Sequence, residues 1–122
     1  MIRIPLREYC SNAAKDVYIP APCRGIVVAL VGAFSETVAA DDTVDVLQGA
    51  HSVNKITVGA DNVLEGVVLT GTPDTTYHEL VFDPDSATAA NKVLKISVSA
   101  LVGTTTFNGY IEFDNFAIID QS

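Results

Sequence analysis

The strongest constraint on the fold is a strict alternation of apolar and polar residues in the last third of the chain. The segment LKISVSA, residues 94–100, places an apolar or small side chain at every second position with lysine or serine between them. The segment FNGYIEFD, residues 107–114, has the same period. Side chains along a strand point alternately to the two faces of a sheet, so this period predicts β-strands. The alternation continues in phase through Asn108 and Gly109, and we therefore predict one continuous strand rather than a hairpin turn there.

Other segments with strand character follow one another along the chain, separated by turns. They are residues 16–20, 24–34, 43–46, 53–58, 64–69 and 77–82. The valine-rich run 24–34 predicts a buried central strand, because Gly25, Gly32 and its β-branched residues disfavour a helix. A single helical turn is expected near residues 86–90. About eight strands with no helices between them predict an all-β fold, an antiparallel β-sandwich or barrel.

Composition restricts the classes of partner. The 122 residues include 7 basic and 15 acidic side chains, for a net charge of −8. This balance argues against binding the phosphate backbone of nucleic acids and against docking on an anionic membrane. The 48% of apolar residues favours a single folded domain over disorder. The N-terminus shows no apolar export signal, and we expect the protein to be made in a cytoplasm.

The usual sequence marks of catalysis are missing. The chain contains no Gly-x-Ser-x-Gly, His-Glu-x-x-His or phosphate-binding glycine loop. His51 and His78 lie far from the cysteines, so zinc is not expected. Cys10 and Cys23 are interpreted either as two reduced thiols, the preferred reading for a cytoplasm, or as one disulfide. We predict a non-enzymatic protein without metal or cofactor.

Two acidic pairs allow a calcium interpretation, which we weigh against turn chemistry. They are Asp41-Asp42 and the Asp83-x-Asp85-Ser86 sequence. Neither is followed by the further oxygen ligands, central glycine and bidentate glutamate of an EF-hand loop. Asp and Ser side chains commonly bond to their own backbone in turns, and we favour that role here.

The first fifteen residues form a candidate partner-binding segment, distinct from a single domain over residues 16–122. Apolar residues alternate there with arginines, in a chain that is otherwise acidic. One interpretation is an extra edge strand of the protein's own sheet, and the other is an arm that binds a partner by strand addition. The candidate partner-binding residues are Ile2, Arg3, Ile4, Leu6, Arg7 and Tyr9.

The C-terminal run FAII, residues 116–119, is a candidate oligomer interface through Phe116, Ile118 and Ile119. The alternative is that this run completes the core of its own domain. A small sandwich rich in valine and phenylalanine can present more apolar surface than one domain covers, and a symmetric interface would bury the rest.

Four segments carry a resemblance to a known family. They are VYIPAPCRG at residues 17–25, DDTVDV at 41–46, DPDSATAANKV at 83–93 and YIEF at 110–113. In this pattern the region 16–118 resembles the small decoration, or head-cementing, proteins of tailed bacteriophages. The resemblance implies a jelly-roll β-sandwich, commonly a homotrimer, bound to the major capsid protein on the outside of the virion. It also implies that residues 25–34, 92–101 and 107–113 form interior strands.

The segment before Asp16 matches nothing in the family pattern, which leaves its role open. A second functional class also remains, a carbohydrate- or receptor-binding β-sandwich, because jelly rolls often bind sugars. The chain has no tryptophan to stack on a sugar ring, but its four tyrosines are candidates for a stacking platform. These are Tyr9, Tyr18, Tyr77 and Tyr110.

Overall fold

The computed structural model describes residues 1–9, 14–38, 42–59, 63–100 and 105–115. Nine strands and one short 3₁₀ turn lie in these ranges. The strands are β1 (Ile2–Tyr9), β2 (Lys15–Pro20), β3 (Ile26–Phe34), β4 (Thr43–Gln48), β5 (His51–Thr57), β6 (Leu69–Thr70), β7 (Thr72–Pro73), β8 (Val93–Val98) and β9 (Thr106–Asp114). The 3₁₀ turn spans Ala89–Lys92 and overlaps the end of the helical turn that the sequence predicts near residues 86–90. Within the described ranges, no helix has the length and apolar character needed to cross a membrane.

The strands form two antiparallel sheets whose pairing is nested. Sheet A has the order β1-β9-β3-β6, and sheet B has the order β2-β8-β4-β5-β7. Strand β1 pairs with β9, β2 with β8, β3 with β6 and β4 with β5, so successive pairs alternate between the sheets. A long antiparallel ribbon rolled in this way is a jelly roll. The predicted antiparallel β-sandwich is confirmed, and β3, β8 and β9 occupy interior positions.

The core lies between the inward faces of the two sheets. The alternating segments behave as the sequence predicts: Leu94 and Ile96 are fully buried on β8, as are Phe107, Ile111 and Phe113 on β9. The rings of Phe34 and Phe107 meet edge to face with centroids 5.2 Å apart. Burying one such side chain is worth about 1.5–3 kcal/mol, so these strands supply much of the stability.

Gly109 lies inside strand β9, as the uninterrupted alternation predicts. It sits opposite Gly32 of β3, and its φ is not positive, unlike those of Gly49 and Gly66. A Cβ built on Gly109 would lie 2.0 Å from the carbonyl oxygen of Val31. A Cβ on Gly32 would lie 2.3 Å from Cζ of Phe107. The two glycines therefore allow the close approach of β3 and β9 rather than a turn.

Two of the predicted strands are wrong for most of their length. In residues 64–69, Gly66 adopts a φ of 77°, which breaks the extended backbone, and only Leu69 continues into β6. In residues 77–82, the Asp74 carboxylate accepts hydrogen bonds from the N–H groups of Thr76 and Tyr77, both at 2.8 Å. These bonds stabilise a turn, and only Phe82 pairs, in an isolated bridge with Gly25.

We expect Gly109→Ala to destabilise the sandwich, because the new methyl group would collide with backbone rather than with a movable side chain. Overpacking of this kind costs about 1–3 kcal/mol. The matched control is Gly59→Ala, where a Cβ has no atom within 4 Å. Its effect should stay within about 0.5 kcal/mol. Urea unfolding of both variants measures the difference, and equal midpoints would contradict the close approach of β3 and β9.

Candidate functional site

Strand β1 is an edge strand of sheet A. It pairs with β9 along its whole length, from Ile2 opposite Phe113 to Tyr9 opposite Thr106. Of the two interpretations of the N-terminal segment, the structure therefore shows the edge strand. Leu6 is buried in the core, and Ile2 and Ile4 pack against it. The alternate side chains, Arg3, Pro5 and Arg7, are the exposed ones.

Arg3 forms a small cluster with two residues of β9 on the outer face of sheet A. Its Nη2 lies 3.2 Å from Oε1 of Glu112, and its Cζ lies 4.5 Å from the centroid of the Tyr110 ring. The Arg3 side chain remains 66% exposed. The tyrosine and the carboxylate hold the guanidinium in place by a cation–π contact and an ion pair, while leaving part of it open to solvent.

Pro5 affects what the free edge of β1 can bind. Proline has no N–H to donate, and inside sheets it is found where its nitrogen faces solvent at an edge. Edge strands that carry proline and charged side chains resist pairing with another strand. Arg3, Pro5 and Arg7 alternate along β1 and share its exposed face. This edge is therefore better suited to side-chain contacts than to strand addition.

A loop between the Val38–Val63 bridge and β6, which we call the 64–68 loop, exposes apolar side chains. Leu64 is 64% exposed, Val67 44% and Val68 68%. The backbone of the loop is tied to the sandwich, because the N–H of Gly66 donates to the carbonyl of Phe34 at 3.0 Å. Next to it is a depression of about 360 Å³ lined by Ala33, Phe34, Ser35, Glu65, Gly66 and Asn108.

The outer face of sheet B is polar. The Ser52 hydroxyl donates to Oδ1 of Asp45 at 2.5 Å across β4 and β5. Beside this pair on the same face, the Ser97 hydroxyl donates to Asp16, and Nζ of Lys95 lies 3.8 Å from the same carboxylate. Burial raises the pKa of Asp45, an effect that the Ser52 hydrogen bond and the charge of Lys55 partly offset. Hydrogen bonds and ion pairs between side chains therefore occupy this face.

A shallow depression of about 260 Å³ lies between β5 and β7 on this face. Its lining residues carry hydroxyl, amine and carboxylate groups, and they are Ser52, Lys55, Thr57, Thr72, Pro73, Asp74 and Thr75. The hydrogen bonds from Tyr77 and Thr76 N–H lower the pKa of Asp74, with smaller help from His78 and His51. The rings of His51 and Tyr77 stack with centroids 4.1 Å apart. Mixed donors and acceptors suit a hydroxyl-rich ligand.

The structure does not bring the four candidate tyrosines into one platform. Tyr18 is 60% exposed on β2 in sheet B, whereas Tyr110 lies on the outer face of sheet A, on the opposite side of the sandwich. Tyr77 is half-buried against His51. The side chain of Tyr9 lies outside what the structure describes. The stacking-platform hypothesis is therefore wrong for these four residues taken together.

Several other candidates can be placed. Cys23 is half-buried, and burial raises the pKa of its thiol. Cys10 and the C-terminal candidates Phe116, Ile118 and Ile119 lie outside the described residues, so those hypotheses stay predictions. Within the described part of the chain, no group of three or more His, Cys, Asp or Glu side chains is arranged to hold a metal ion.

The acidic turn at Asp83 has the local bonding that turn chemistry predicts. The Asp83 carboxylate accepts a hydrogen bond from the N–H of Asp85 at 2.9 Å, and the Ser86 hydroxyl accepts one from the N–H of Thr88 at 3.1 Å. Sequence reasoning missed the 64–68 loop, and it named Arg3 and Tyr110 without bringing them together with Glu112 in one cluster. The Gly66 that interrupts an apolar run was a usable signal for the loop, whereas the cluster depends on the register of β1 and β9.

We expect Asp45→Asn to change how stability depends on pH. Since the folded pKa of Asp45 is raised, the unfolded chain loses this proton first as pH rises, and wild-type stability falls relative to the variant. The asparagine can still accept the Ser52 hydrogen bond. The unfolding free energy of the variant minus that of wild type should therefore increase from about pH 3 to about pH 7.

Chemical unfolding across that pH range measures the Asp45 effect. Asp85→Asn removes one negative charge from an exposed turn and serves as the matched control for net charge. A difference between Asp45→Asn and wild type that stays constant or declines with rising pH would contradict the raised pKa.

Comparison with known proteins does not assign a family. No protein-family model, no curated protein and no solved structure matches the chain. The jelly-roll sandwich by itself does not assign an activity either, because one fold hosts many unrelated functions.

Proposed function

We propose that this chain is a non-enzymatic structural protein that decorates and stabilises the exterior of a tailed-bacteriophage capsid. In this proposal it binds the major capsid protein as a homotrimer and has its place on the virion surface. The observation that carries the proposal is the outer face of sheet A, where Arg3 lies over Tyr110 beside Glu112.

The Arg3 cluster has the chemistry of a protein-binding surface. Tyrosine and arginine are the residue types most enriched among those that dominate the energy of protein interfaces. The cation–π contact fixes both side chains before binding, so less conformational entropy is lost when a partner covers them. Polar Glu112 at its border can pair with a partner's donor. A sheet face that presents these groups together can lie against a broad capsid surface.

The charge of the chain supports an exterior position. A net charge of −8 disfavours association with nucleic acid and with anionic cell surfaces. Arg3 and Arg7 are two of the seven basic residues, and both project from the same edge of sheet A. Opposite charge on a partner would steer the approach of this edge and set its register.

A second candidate function is carbohydrate binding, and the depression between β5 and β7 favours it. Hydroxyl, amine and carboxylate groups line this depression. Its Asp74 carboxylate accepts a hydrogen bond from the N–H of Tyr77, whose ring stacks on His51. Sugar hydroxyls are both donors and acceptors, which such a lining can satisfy. This surface lies on sheet B, away from the Arg3 cluster, so variants can separate the two functions.

The capsid proposal is tested by co-sedimentation with heads assembled from the major capsid protein encoded with this chain. Wild type should bind to saturation and raise the temperature at which the heads rupture. Tyr110→Ala and Arg3→Ala should each weaken binding by about tenfold or more, as removal of a dominant interface residue does. Tyr18→Ala removes an equally large exposed ring from sheet B and should bind normally.

Absence of co-sedimentation at any concentration of folded protein would contradict the proposal, as would equal weakening by Tyr18→Ala. A glycan array run in parallel separates the second candidate. Specific sugar binding that Asp74→Ala and Lys55→Ala abolish, with no binding to heads, would establish carbohydrate binding in place of capsid decoration.

A further inference from the structure

Side chains that lie directly opposite one another on neighbouring strands form rows across the outer face of sheet A. One of them, which we call the Arg7 row, consists of Arg7 on β1, Asn108 on β9 and Ala33 on β3. The next rows along the same face are Pro5 with Tyr110 and Val31, and Arg3 with Glu112. Successive rows are two residues apart, or about 7 Å, so a partner that covers one row can reach the next.

The Arg7 row leads into the depression beside the 64–68 loop. Two members of the row line this depression, and so do Glu65 and Gly66 of the loop. The loop lies beside β3 on the side away from β9, because Gly66 bonds to the backbone of β3 and the chain then continues into β6. Arg7 and Glu65 therefore stand on opposite sides of the depression, with backbones about 14 Å apart at the usual spacing of neighbouring strands.

The two side chains at these ends carry opposite charges without described partners. Both Arg7 and Glu65 are exposed. Neither forms an ion pair with any residue that the structure describes, whereas Arg3 on the same face is paired with Glu112. A cation and an anion held at a fixed separation favour a partner that carries the opposite charges at the same separation. Arg7 requires a carboxylate, and Glu65 requires an ammonium or guanidinium group.

The depression between these charges suits an apolar side chain. Its lining includes Ala33 and Gly66, which present at most a methyl group, and its volume of about 360 Å³ exceeds that of one aliphatic side chain. Leu64 and Val67 are exposed next to it in the loop, where they can cover an occupant. Burying one aliphatic side chain of a partner there would contribute about 1.5–3 kcal/mol to binding.

An extended segment has the geometry that this surface requires. Its side chains alternate between two faces, so residues i, i+2 and i+4 point the same way and span about 13 Å. An acidic residue at one end then lies at Arg7, an apolar residue in the middle enters the depression, and a basic residue reaches Glu65. A helix places i and i+4 only about 6 Å apart, which is too short for these two charges.

We propose that the Arg7 row and the adjoining depression bind an extended protein segment that runs across β1, β9 and β3. The segment carries an acidic, an apolar and a basic residue at positions i, i+2 and i+4, in either chain direction. Its source rests on the proposed function, which makes it part of the major capsid protein. The Arg3 cluster lies on the same face, so one capsid surface contacts both.

The first test needs no capsids. Ten-residue peptides of one composition are titrated into the full chain, and the backbone amide shifts are followed by NMR. One peptide places Asp, Val and Lys at i, i+2 and i+4 among serines and threonines, and the control peptide moves Lys to i+3. The first peptide should bind several-fold more tightly and should shift the amides of the Arg7 row and of Glu65.

Filling the depression tests where the peptide binds. Ala33→Leu places a larger side chain in the depression and should abolish the preference for the first peptide. Ala50→Leu makes the same change in an exposed turn of sheet B and should leave the preference unchanged. Circular dichroism checks that both variants keep the fold, as expected for changes outside the core.

Charge reversal tests the two ends. Arg7→Glu and Glu65→Lys should each weaken binding of the first peptide and of capsid heads by about tenfold, because each places like charges together. Lys92→Glu and Glu79→Lys make the same charge changes on exposed turns and should bind like wild type.

The double variant Arg7→Glu with Glu65→Lys separates recognition from net charge. It keeps the net charge of −8 but exchanges the two charges across the depression. On heads, the contact made by the Arg3 cluster prevents the protein from turning around. The double variant should therefore bind heads more weakly than either single variant, and recovery of wild-type binding would overturn the inference.

Two further results would overturn it: equal binding of the two peptides, and shifts confined to residues away from the Arg7 row. Heads that depend on Tyr110 but bind Ala33→Leu normally would also overturn the segment, while capsid decoration would stand. Conversely, a wild type that binds the first peptide at the Arg7 row but binds no heads would overturn capsid decoration and support the segment chemistry.

Discussion

The sandwich depends on the position of strand β9, which pairs with β1 on one side and with β3 on the other. Its inward side chains, Phe107, Ile111 and Phe113, are fully buried, and Gly109 lets the backbone of β3 approach. Since β1 and β9 come from opposite ends of the described chain, their pairing closes the outermost layer of the nested roll. The inner pairs complete the same two sheets, whose remaining free surfaces are their outer faces and edges.

The two outer faces differ in chemistry, and the proposed function of the protein rests on that difference. Sheet A presents the Arg3 cluster, with Arg7 on the same strand and the apolar 64–68 loop bonded to Phe34 of β3. Sheet B presents paired polar side chains, among them Asp45 with Ser52 and Asp16 with Ser97. This arrangement supports decoration of a larger particle as the proposed function.

Sequence reasoning predicts the strands whose one face is buried, because burial imposes the alternation seen in residues 94–98 and 107–114. It is wrong in residues 64–69 and 77–82, where apolar content suggested strands. There Gly66 and the Asp74 carboxylate stabilise turns through local backbone conformation and hydrogen bonds. The Arg3 cluster was also beyond prediction, since Arg3 and Glu112 become neighbours only through the pairing of β1 with β9. Local patterns predict strands, but register between distant segments requires the folded structure.

The central claim is that β1 is an integral strand of this sandwich, which leaves side chains rather than a free arm for binding partners. Native-state hydrogen exchange tests it most directly, because amides bonded within a cooperative unit exchange only when that unit opens. Amides of β1 that bond to β9 should exchange as slowly as those of β9 bonded to β3, and both sets should slow together as global stability increases. Exchange of the whole Ile2–Tyr9 segment at the rate of an unstructured chain, with β9 still protected, would contradict the claim.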